Sequence, residues 1–189
     1  KMGLIIFVSV VVLLAIFIVS TYNTIVSRKN NVKRTWADVL VYERKKNQVL
    51  PKFEELLNDY KEQESSLLEK ITALRTAVGS LSEKGTTPEE LKSVEALSVE
   101  VKEGVKVAVE AYPELKSSAL YAQVMTEFSE LQNDVAASLS IFNSSVETFN
   151  TTIESFPGSL VNQFFNKERP VDVFSDSVAQ SGFEYKPGI

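Results

Sequence analysis

The sequence contains no cysteine and no histidine, and each absence excludes a class of functional site. Without cysteine the chain can form no disulfide framework, no thiolate zinc site and no thiol nucleophile. Without histidine it lacks the commonest general base and the commonest metal ligand of proteins. Glycine and proline are also scarce, with 7 and 6 residues in a chain of 189, which disfavours a loop-rich or all-β structure.

Basic charge is not in excess either. The chain has 20 lysine and arginine residues against 25 aspartate and glutamate residues, and its net charge is −5. Proteins that bind nucleic acid normally carry a basic domain or stripe, so we expect no nucleic-acid partner. No glycine-rich phosphate loop and no calcium-binding loop pattern occurs in the sequence, so we also expect no cofactor, no metal and no small-molecule substrate.

A long apolar run, LIIFVSVVVLLAIFIV, extends from Leu4 to Val19. A bilayer-spanning helix needs roughly 20 apolar residues, so we predict that residues 1–21 form a retained transmembrane anchor. A cleaved signal peptide is the alternative, but Lys1 is the one basic residue before the run and no small-residue cleavage site follows it. The side chains that we expect to hold the anchor in lipid are those of Leu4, Phe7, Val12, Leu14, Phe17 and, at the interface, Tyr22.

Basic residues cluster after this run, including Arg28, Lys29, Lys33 and Arg34. Loops rich in lysine and arginine stay on the cytoplasmic side of a membrane. We therefore predict a single-pass membrane protein, with a very short N-terminus outside and residues 22–156 forming a cytoplasmic helical domain.

A seven-residue apolar repeat begins at Ile25 and continues to Leu81, and a second row four positions further on includes Trp36 and Leu50. This repeat predicts one long helix over residues 22–78, about 85 Å in length, with a kink near Asn47 to Leu50 caused by Pro51. Glu43 and Lys46 interrupt the apolar rows. They could form a polar layer that sets register or meets a partner, but we expect them to be side chains that reach past a thin bundle to water.

Two further helices are predicted, over residues 88–112 and 118–156. Thr87, Pro88 and Glu90 form a helix-start signal, and Pro113 and Pro157 end the two helices. Residues 157–189 are expected to form a tail with a short helix near LVNQFF, in which Phe174, Phe183 and Tyr185 either hold an extended segment on the helices or belong to a frayed terminus.

Three amphipathic helices with short connections favour an all-α fold, an antiparallel bundle of three or four helices that continues the membrane anchor. The second helix is shorter than the first, so part of the first is expected to lack a cover within the chain. Exposed apolar stripes invite association, and we expect a homo-oligomer, or contact with a partner protein at the membrane, through Trp36, Val39, Glu43, Lys46 and Phe53.

The segment that follows the apolar run resembles the opening of the LemA family. The matching residues are Tyr22-Asn23, Arg28 to Asn31, Thr35-Trp36, Lys45-Lys46 and Pro51, and the resemblance continues in AYPELK from Ala111 and in FNSSVETFNTTIESFP from Phe142 to Pro157. The resemblance implies a bacterial membrane-anchored helical bundle with a short external N-terminus, and it supplies no catalytic residues.

Two classes of function therefore remain at this point. The first is a non-enzymatic membrane-anchored scaffold or adapter that acts through helical surfaces and assembles with itself. The second is a metal-dependent enzyme or sensor with a site made of carboxylates. The absence of histidine and of any recognised catalytic motif favours the first class.

Overall fold

The computed structural model describes residues 1–60, 62, 64–82 and 85–175, and within these residues every regular element is helical. The predicted all-α fold is therefore confirmed. The α-helices are α1 Met2–Lys45, α2 Leu50–Leu56, α3 Ser65–Ser80, α4 Pro88–Ala111, α5 Pro113–Lys116, α6 Ala119–Glu154 and α7 Gly158–Val161. The chain forms two compact units, the first made of Lys1–Trp36 with Ser140–Phe174, and the second including Ala37–Leu139.

The long first helix is interrupted where the sequence was expected to continue it. Helix α1 runs without a break from the apolar run to Lys45, and a 3-10 turn over Lys46–Gln48 then leads into α2. Pro51 has no N–H to donate, and the backbone around it tightens, with the Val49 N–H donating to the Lys46 carbonyl at 2.9 Å. This interruption lies at the predicted kink, but it separates two helices where a bent single helix was expected.

A second interruption, between α2 and α3, was not predicted. It contains a 3-10 turn over Asn58–Tyr60. Asparagine and aspartate at positions 58 and 59 favour this departure, because their side chains compete with the helix for backbone groups. The Tyr60 ring lies 4.3 Å from the Tyr112 ring, and its O–H donates to Glu114 at 2.8 Å, so the turn is held against the start of α5. The prediction of one helix over residues 22–78 is thus wrong at two places.

Helices α3 and α4 pack antiparallel in the second unit. Lys70 of α3 forms an ion pair with Glu100 of α4 at 2.9 Å, and a Cβ atom added at Gly104 would contact the Leu67 side chain. Residues later in α3 therefore contact residues earlier in α4, as expected for an antiparallel pair. The apolar core of this unit also includes Phe53 and Phe128, whose rings meet edge to face at 5.3 Å.

The predicted helix-start signal at Thr87 is confirmed. The Glu90 N–H donates to the Thr87 side chain at 3.2 Å, and the Thr87 N–H donates to the Glu90 carboxylate at 2.9 Å, which completes a capping box. Ser118 caps α6 by accepting a hydrogen bond from the Tyr121 N–H at 3.0 Å. These local signals explain why α4 and α6 lie within two residues of their predicted bounds.

The first unit pairs the N-terminal part of α1 with the C-terminal part of α6. The Trp36 and Phe142 rings lie 5.0 Å apart, and the Asn31 side chain donates to the Ser145 hydroxyl at 2.9 Å. Helix α6 ends at Glu154, and the chain then folds so tightly that a Cβ atom at Gly158 would collide with the Thr152 carbonyl oxygen. Glycine is required there because only it permits this approach of backbone to backbone.

The tail begins as predicted, with a short helix. Helix α7 is followed by a π-helical turn over Asn162–Asn166, and the backbone then becomes non-helical as far as the described residues extend. Phe174 is buried, which agrees with the first of the two alternatives considered for it, an extended segment held on the helices. Phe183 and Tyr185 lie outside the described residues.

Candidate functional site

A cluster of charged side chains is enclosed in the second unit. Glu43 lies in the last turn of α1, Lys46 in the 3-10 turn that follows, and Glu95 and Ser98 one turn apart on α4. The Lys46 ammonium donates to Glu43 Oε1 at 2.9 Å, to Glu95 Oε1 at 2.9 Å and to the Ser98 hydroxyl at 3.1 Å. All three protons of the ammonium therefore have acceptors. The Lys46 and Glu43 side chains are both 0% exposed.

The surroundings of Glu43 favour its neutral form. Burial raises the pKa of this carboxyl from 4.5 to about 8, the charge of Glu95 adds to the increase, and the charge of Lys46 opposes it. Glu43 Oε2 lies 2.9 Å from the Lys46 ammonium nitrogen but accepts no hydrogen bond. Near neutral pH the Glu43 carboxyl is therefore mostly protonated and adds no charge to the buried core.

The expectation that Glu43 and Lys46 reach past the bundle to water is wrong. Glu95 and Ser98 give the Lys46 ammonium its acceptors inside the protein, so neither Lys46 nor Glu43 has to extend to the surface. The pair instead forms the other structure considered for it, a polar layer. A slip of α4 by one residue would rotate Glu95 and Ser98 away from Lys46, so the layer favours one register of α4 against the end of α1.

The residues that were expected to face a second copy of the chain lie mostly inside the structure. Val39, Glu43, Lys46 and Phe53 are all buried, and Trp36 is half-buried against Phe142. The first helix has a cover at these positions, contrary to the expectation of a bare stripe. Burial of these side chains removes the reason for which they were expected to form an interface.

The expected anchor residues have the opposite environment. Helix α1 contains a window of eighteen residues with a mean hydropathy of 3.2, none of it buried within the chain. By length and composition this part of α1 is a candidate membrane span. The predicted anchor side chains are all exposed, namely those of Leu4, Phe7, Val12, Leu14, Phe17 and Tyr22.

Two asparagines of α6 hold the tail in the first unit, and the sequence analysis missed both roles. The Asn143 side-chain amide donates to the Phe174 carbonyl at 2.8 Å, and its oxygen accepts from the Phe174 N–H at 2.8 Å. Asn150 forms the same pair of bonds with Val171, at 2.8 and 2.9 Å. Each amide thus satisfies both backbone polar groups of one residue, as a neighbouring β-strand would.

The spacing of these asparagine clamps, Asn143 and Asn150, matches the spacing of the residues they hold. Seven residues along a helix rise about 10.5 Å, and three residues of extended chain cover about 10 Å. Val171 is paired with Asn150 and Phe174 with Asn143, so the tail runs antiparallel to α6. The arrangement can hold an extended peptide by its backbone, and the chain's own tail occupies it.

A signal for the clamps is present in the sequence. Phe142-Asn143 and Phe149-Asn150 repeat after seven residues, and both phenylalanines are buried while both asparagines are half-buried. A repeat of this kind places two amides in one column beside the core face of a helix. The two Phe-Asn pairs lie in the segment that resembles the LemA family, and no contact was predicted for their asparagines.

No metal centre is found in the part of the chain that the structure describes. Within residues 1–60, 62, 64–82 and 85–175, no group of three or more acidic side chains is placed to hold a metal ion. Glu43 and Glu95 do come together, but Lys46 occupies the position between them. What the cluster offers is a buried ammonium surrounded by its own hydrogen-bond acceptors.

Comparison with known proteins supports the family resemblance. The model of the LemA family matches residues 35–181 of this chain. A relative from Metamycoplasma hominis, Protein LemA, is 29% identical over 142 residues. That match covers 75% of this chain and 63% of the relative, so the chain spans less than two thirds of the relative's own length. Because the family match extends over most of its length, the chain belongs to the LemA family.

Proposed function

We propose that this chain is a membrane-anchored structural or interaction protein of the LemA family, which acts as a scaffold or adapter through its helical surfaces. The observation that carries the proposal is the continuity of α1. One helix contains both an uncovered apolar segment and the packing face that begins at Ile25, which is fully buried. A helix of this kind attaches its packing face directly to the membrane span, because no flexible linker separates the two.

The orientation that we propose places the residues after Tyr22 on the cytoplasmic side. Arg28, Lys33 and Arg34 are exposed on α1 just beyond the apolar segment, and Lys29 is partly exposed. Basic side chains near the end of a span favour the cytoplasmic face, where they also meet anionic lipid head groups. The bacterial cytoplasmic membrane is the proposed location.

Self-assembly at the membrane, or contact with another protein there, is the further part of this proposal. The buried positions Val39 and Phe53 are not accessible for it, so association has to use outward-facing side chains. Val99 and Val107 on α4 are 48% and 64% exposed, and they lie about two helical turns apart. Exposed aliphatic side chains at such spacing support association through a helix face.

The metal-dependent alternative has no observation in its favour. The carboxylates that burial brings together, Glu43 and Glu95, are neutralised by Lys46 and by protonation of Glu43. A divalent cation at these carboxyl groups would have to displace the buried ammonium that lies between them. The proposal is accordingly that of a non-enzymatic protein.

Membrane extraction tests the anchor. We expect the full chain to remain in the membrane pellet after alkaline carbonate and to be released by detergent. Val12→Arg combined with Leu14→Arg should move most of the protein to the soluble fraction, because a charge at the centre of a span costs roughly 3 kcal/mol. Ala136→Arg combined with Ala137→Arg is the matched control, with the same two charges placed at exposed positions of α6. Release of the unaltered chain by carbonate would contradict the proposal.

Thiol labelling tests the orientation, and the cysteine-free sequence makes the signal specific. A cysteine in place of Ala136, which is exposed, should react with a membrane-impermeant reagent only after the cells are opened. Labelling in intact cells would show that the orientation is the reverse of the one we propose. Light scattering of the protein in mild detergent tests self-assembly, and a monodisperse monomer would contradict that part of the proposal.

A further inference from the structure

The corner that follows α6 exposes an unusual amount of apolar surface. No charged residue occurs from Ser155 through Asn166, although 24% of the chain is charged. Within this stretch Phe156 is 77% exposed, Leu160 50%, Phe164 67% and Phe165 57%. Soluble proteins rarely expose several large apolar side chains so close together, and such patches mark contact with a protein or a membrane. These four residues are called the apolar corner below.

The apolar corner lies beside the uncharged part of α1. An open cleft of about 590 Å³ in the first unit is lined on one side by Phe17, Ser20 and Thr21 of α1, and on the other by Phe156 and Pro157. After Lys1, the first charged residue of α1 is Arg28, about 10 Å further along the helix than Thr21. The corner therefore adjoins the segment of α1 that emerges from the proposed span, before the basic residues begin.

Polar contacts fix the position of this corner on the protein. The Lys29 ammonium donates to both carboxylate oxygens of Glu168 at 2.7 Å, which ties α1 to the chain just after the π-helical turn. The Asn162 side chain bonds both backbone polar groups of Glu168, at 3.0 and 2.9 Å. The exposed aromatic side chains are thus presented by a closed turn attached at both ends.

Exposed basic side chains follow the corner, whereas an exposed acidic one, Glu154, directly precedes it. Lys167 and Arg169 follow it directly and are exposed, and Arg28 is exposed on α1. Aromatic side chains followed by basic ones are typical of protein segments that lie in the interface of a membrane. Contact with a protein partner does not by itself call for an apolar patch that is followed by basic side chains.

We propose that the apolar corner inserts into the interfacial region of the bilayer that α1 enters, so that the first unit contacts lipid at a second point. This inference rests on the proposed function, because it assumes that α1 spans the membrane. The bilayer is the occupant that the position favours, since the corner continues the uncharged surface of α1. Two points of contact with lipid prevent the first unit from turning freely about the axis of α1.

Spin labelling tests this contact in the full chain. Single cysteines in place of Leu160 and Phe164 carry a nitroxide label, and the protein is reconstituted in vesicles of phosphatidylcholine and phosphatidylglycerol. Oxygen concentrates in lipid and a nickel chelate stays in water, so the ratio of their collision rates with the label reports its surroundings. Ile141→Cys is the matched control, because Ile141 is an apolar residue of the same unit that is 60% exposed on α6.

We expect the oxygen-to-nickel ratio at positions 160 and 164 to exceed the ratio at position 141 several-fold. A label in place of Val12 reports on the span itself. If positions 160 and 164 resemble position 141 while position 12 is in lipid, the second contact does not exist and the anchor remains. If position 12 is also in water, the proposed anchor fails and the inference fails with it. Dipolar broadening between labels at position 164, without contact with lipid, would identify a second copy as the occupant and overturn the proposal.

Discussion

The two units stabilise their polar groups in different ways. In the first unit neutral asparagine amides bind the backbone of the tail at half-buried positions, with Asn143 and Asn150 each forming two hydrogen bonds. In the second unit charged side chains are enclosed, and Lys46 is held by two carboxyl groups and a hydroxyl. A neutral amide can lose its partner to water at modest cost, whereas an enclosed charge cannot.

This difference shows where the molecule tolerates change. Each asparagine clamp fixes one residue of the tail and can be removed without exposing a charge to the core. The ion cluster is satisfied only as a set, because every other member accepts a hydrogen bond from the one buried Lys46 ammonium. We therefore expect substitutions in the cluster to have the larger effects on stability and substitutions at the clamps to have local ones.

Removal of the buried ammonium is expected to have the largest effect. Lys46→Ala leaves Glu43 and Glu95 without the donor that they share, and we expect it to lower the free energy of unfolding by about 3 to 5 kcal/mol. Lys52→Ala is the matched control, because Lys52 forms an ion pair with Glu127 at 2.6 Å that is about one-third exposed. Such a pair contributes about 1 kcal/mol or less.

Urea unfolding in mild detergent, followed by circular dichroism, measures both variants. Equal losses for Lys46→Ala and Lys52→Ala would show that burial does not distinguish the two lysines. The enclosed ion pair and the exposed ion pair would then contribute equally to the free energy of unfolding.

The second effect is a dependence of stability on pH that arises from Glu43. Its pKa is about 8 in the folded chain and 4.5 when unperturbed, so between these values the folded protein holds a proton that the unfolded chain has lost. The contribution of Glu43 to the free energy of unfolding is therefore complete below pH 4.5. It decreases as the pH rises toward 8. The slope is at most about 1.4 kcal/mol per pH unit.

Other carboxyl groups have the opposite trend but act at lower pH. Hydrogen bonds from Lys52 and Gln123 lower the pKa of Glu127, so its contribution is lost only as the pH falls below the unfolded value. Glu43→Gln should abolish the decrease between pH 5 and pH 8, since the amide keeps an acceptor for Lys46 and does not titrate. A decrease of the same slope in Glu43→Gln would assign the effect to another group.

The third effect concerns the asparagine clamps and is smaller. Asn150→Ala should remove protection from hydrogen exchange at the Val171 amide, and Asn143→Ala should do so at Phe174, because each asparagine accepts that N–H. The cost to stability should be about 1 kcal/mol for each clamp. Asn133→Ala is the matched control, an exposed asparagine on the same helix.

The double variant sharpens this prediction. Both clamps hold one short segment, so loss of the first should loosen the second, and the combined effect of Asn143→Ala and Asn150→Ala should be less than the sum of the two. Strict additivity would mean that Val171 and Phe174 are held independently.

Features that depend on near neighbours in the chain could be predicted from the sequence. The apolar segment, the capping box at Thr87 and the interruption near Pro51 each follow from residues within one or two turns. The second interruption, after Leu57, could not be predicted so well, because Asn58 and Asp59 disfavour a helix only weakly.

Features that depend on distant partners could not be predicted. Lys46 has its acceptors 49 and 52 positions away, on α4, and a charged residue within an apolar repeat has the same sequence pattern whether it is enclosed or reaches water. The asparagine clamps act across 21 and 31 positions. Their Phe-Asn repeat shows that two amides share a column on α6, but only the folded chain shows what they bind.

The smallest effect that we predict is a gain in stability at the turn after α7. Lys167 closes the π-helical turn with a φ of 55°, and its N–H donates to the Asn162 carbonyl at 2.7 Å. Left-handed backbone is strained for lysine and free for glycine, so Lys167→Gly should raise the free energy of unfolding by about 0.5 to 1 kcal/mol. Lys33→Gly is the matched control, because Lys33 is exposed within α1 and glycine there should lower stability by about 1 kcal/mol. The single tryptophan, Trp36, belongs to the same unit, so urea unfolding followed by its fluorescence measures both changes where they occur. A loss of stability in Lys167→Gly would mean that the lysine side chain contributes more to this turn than its backbone conformation costs.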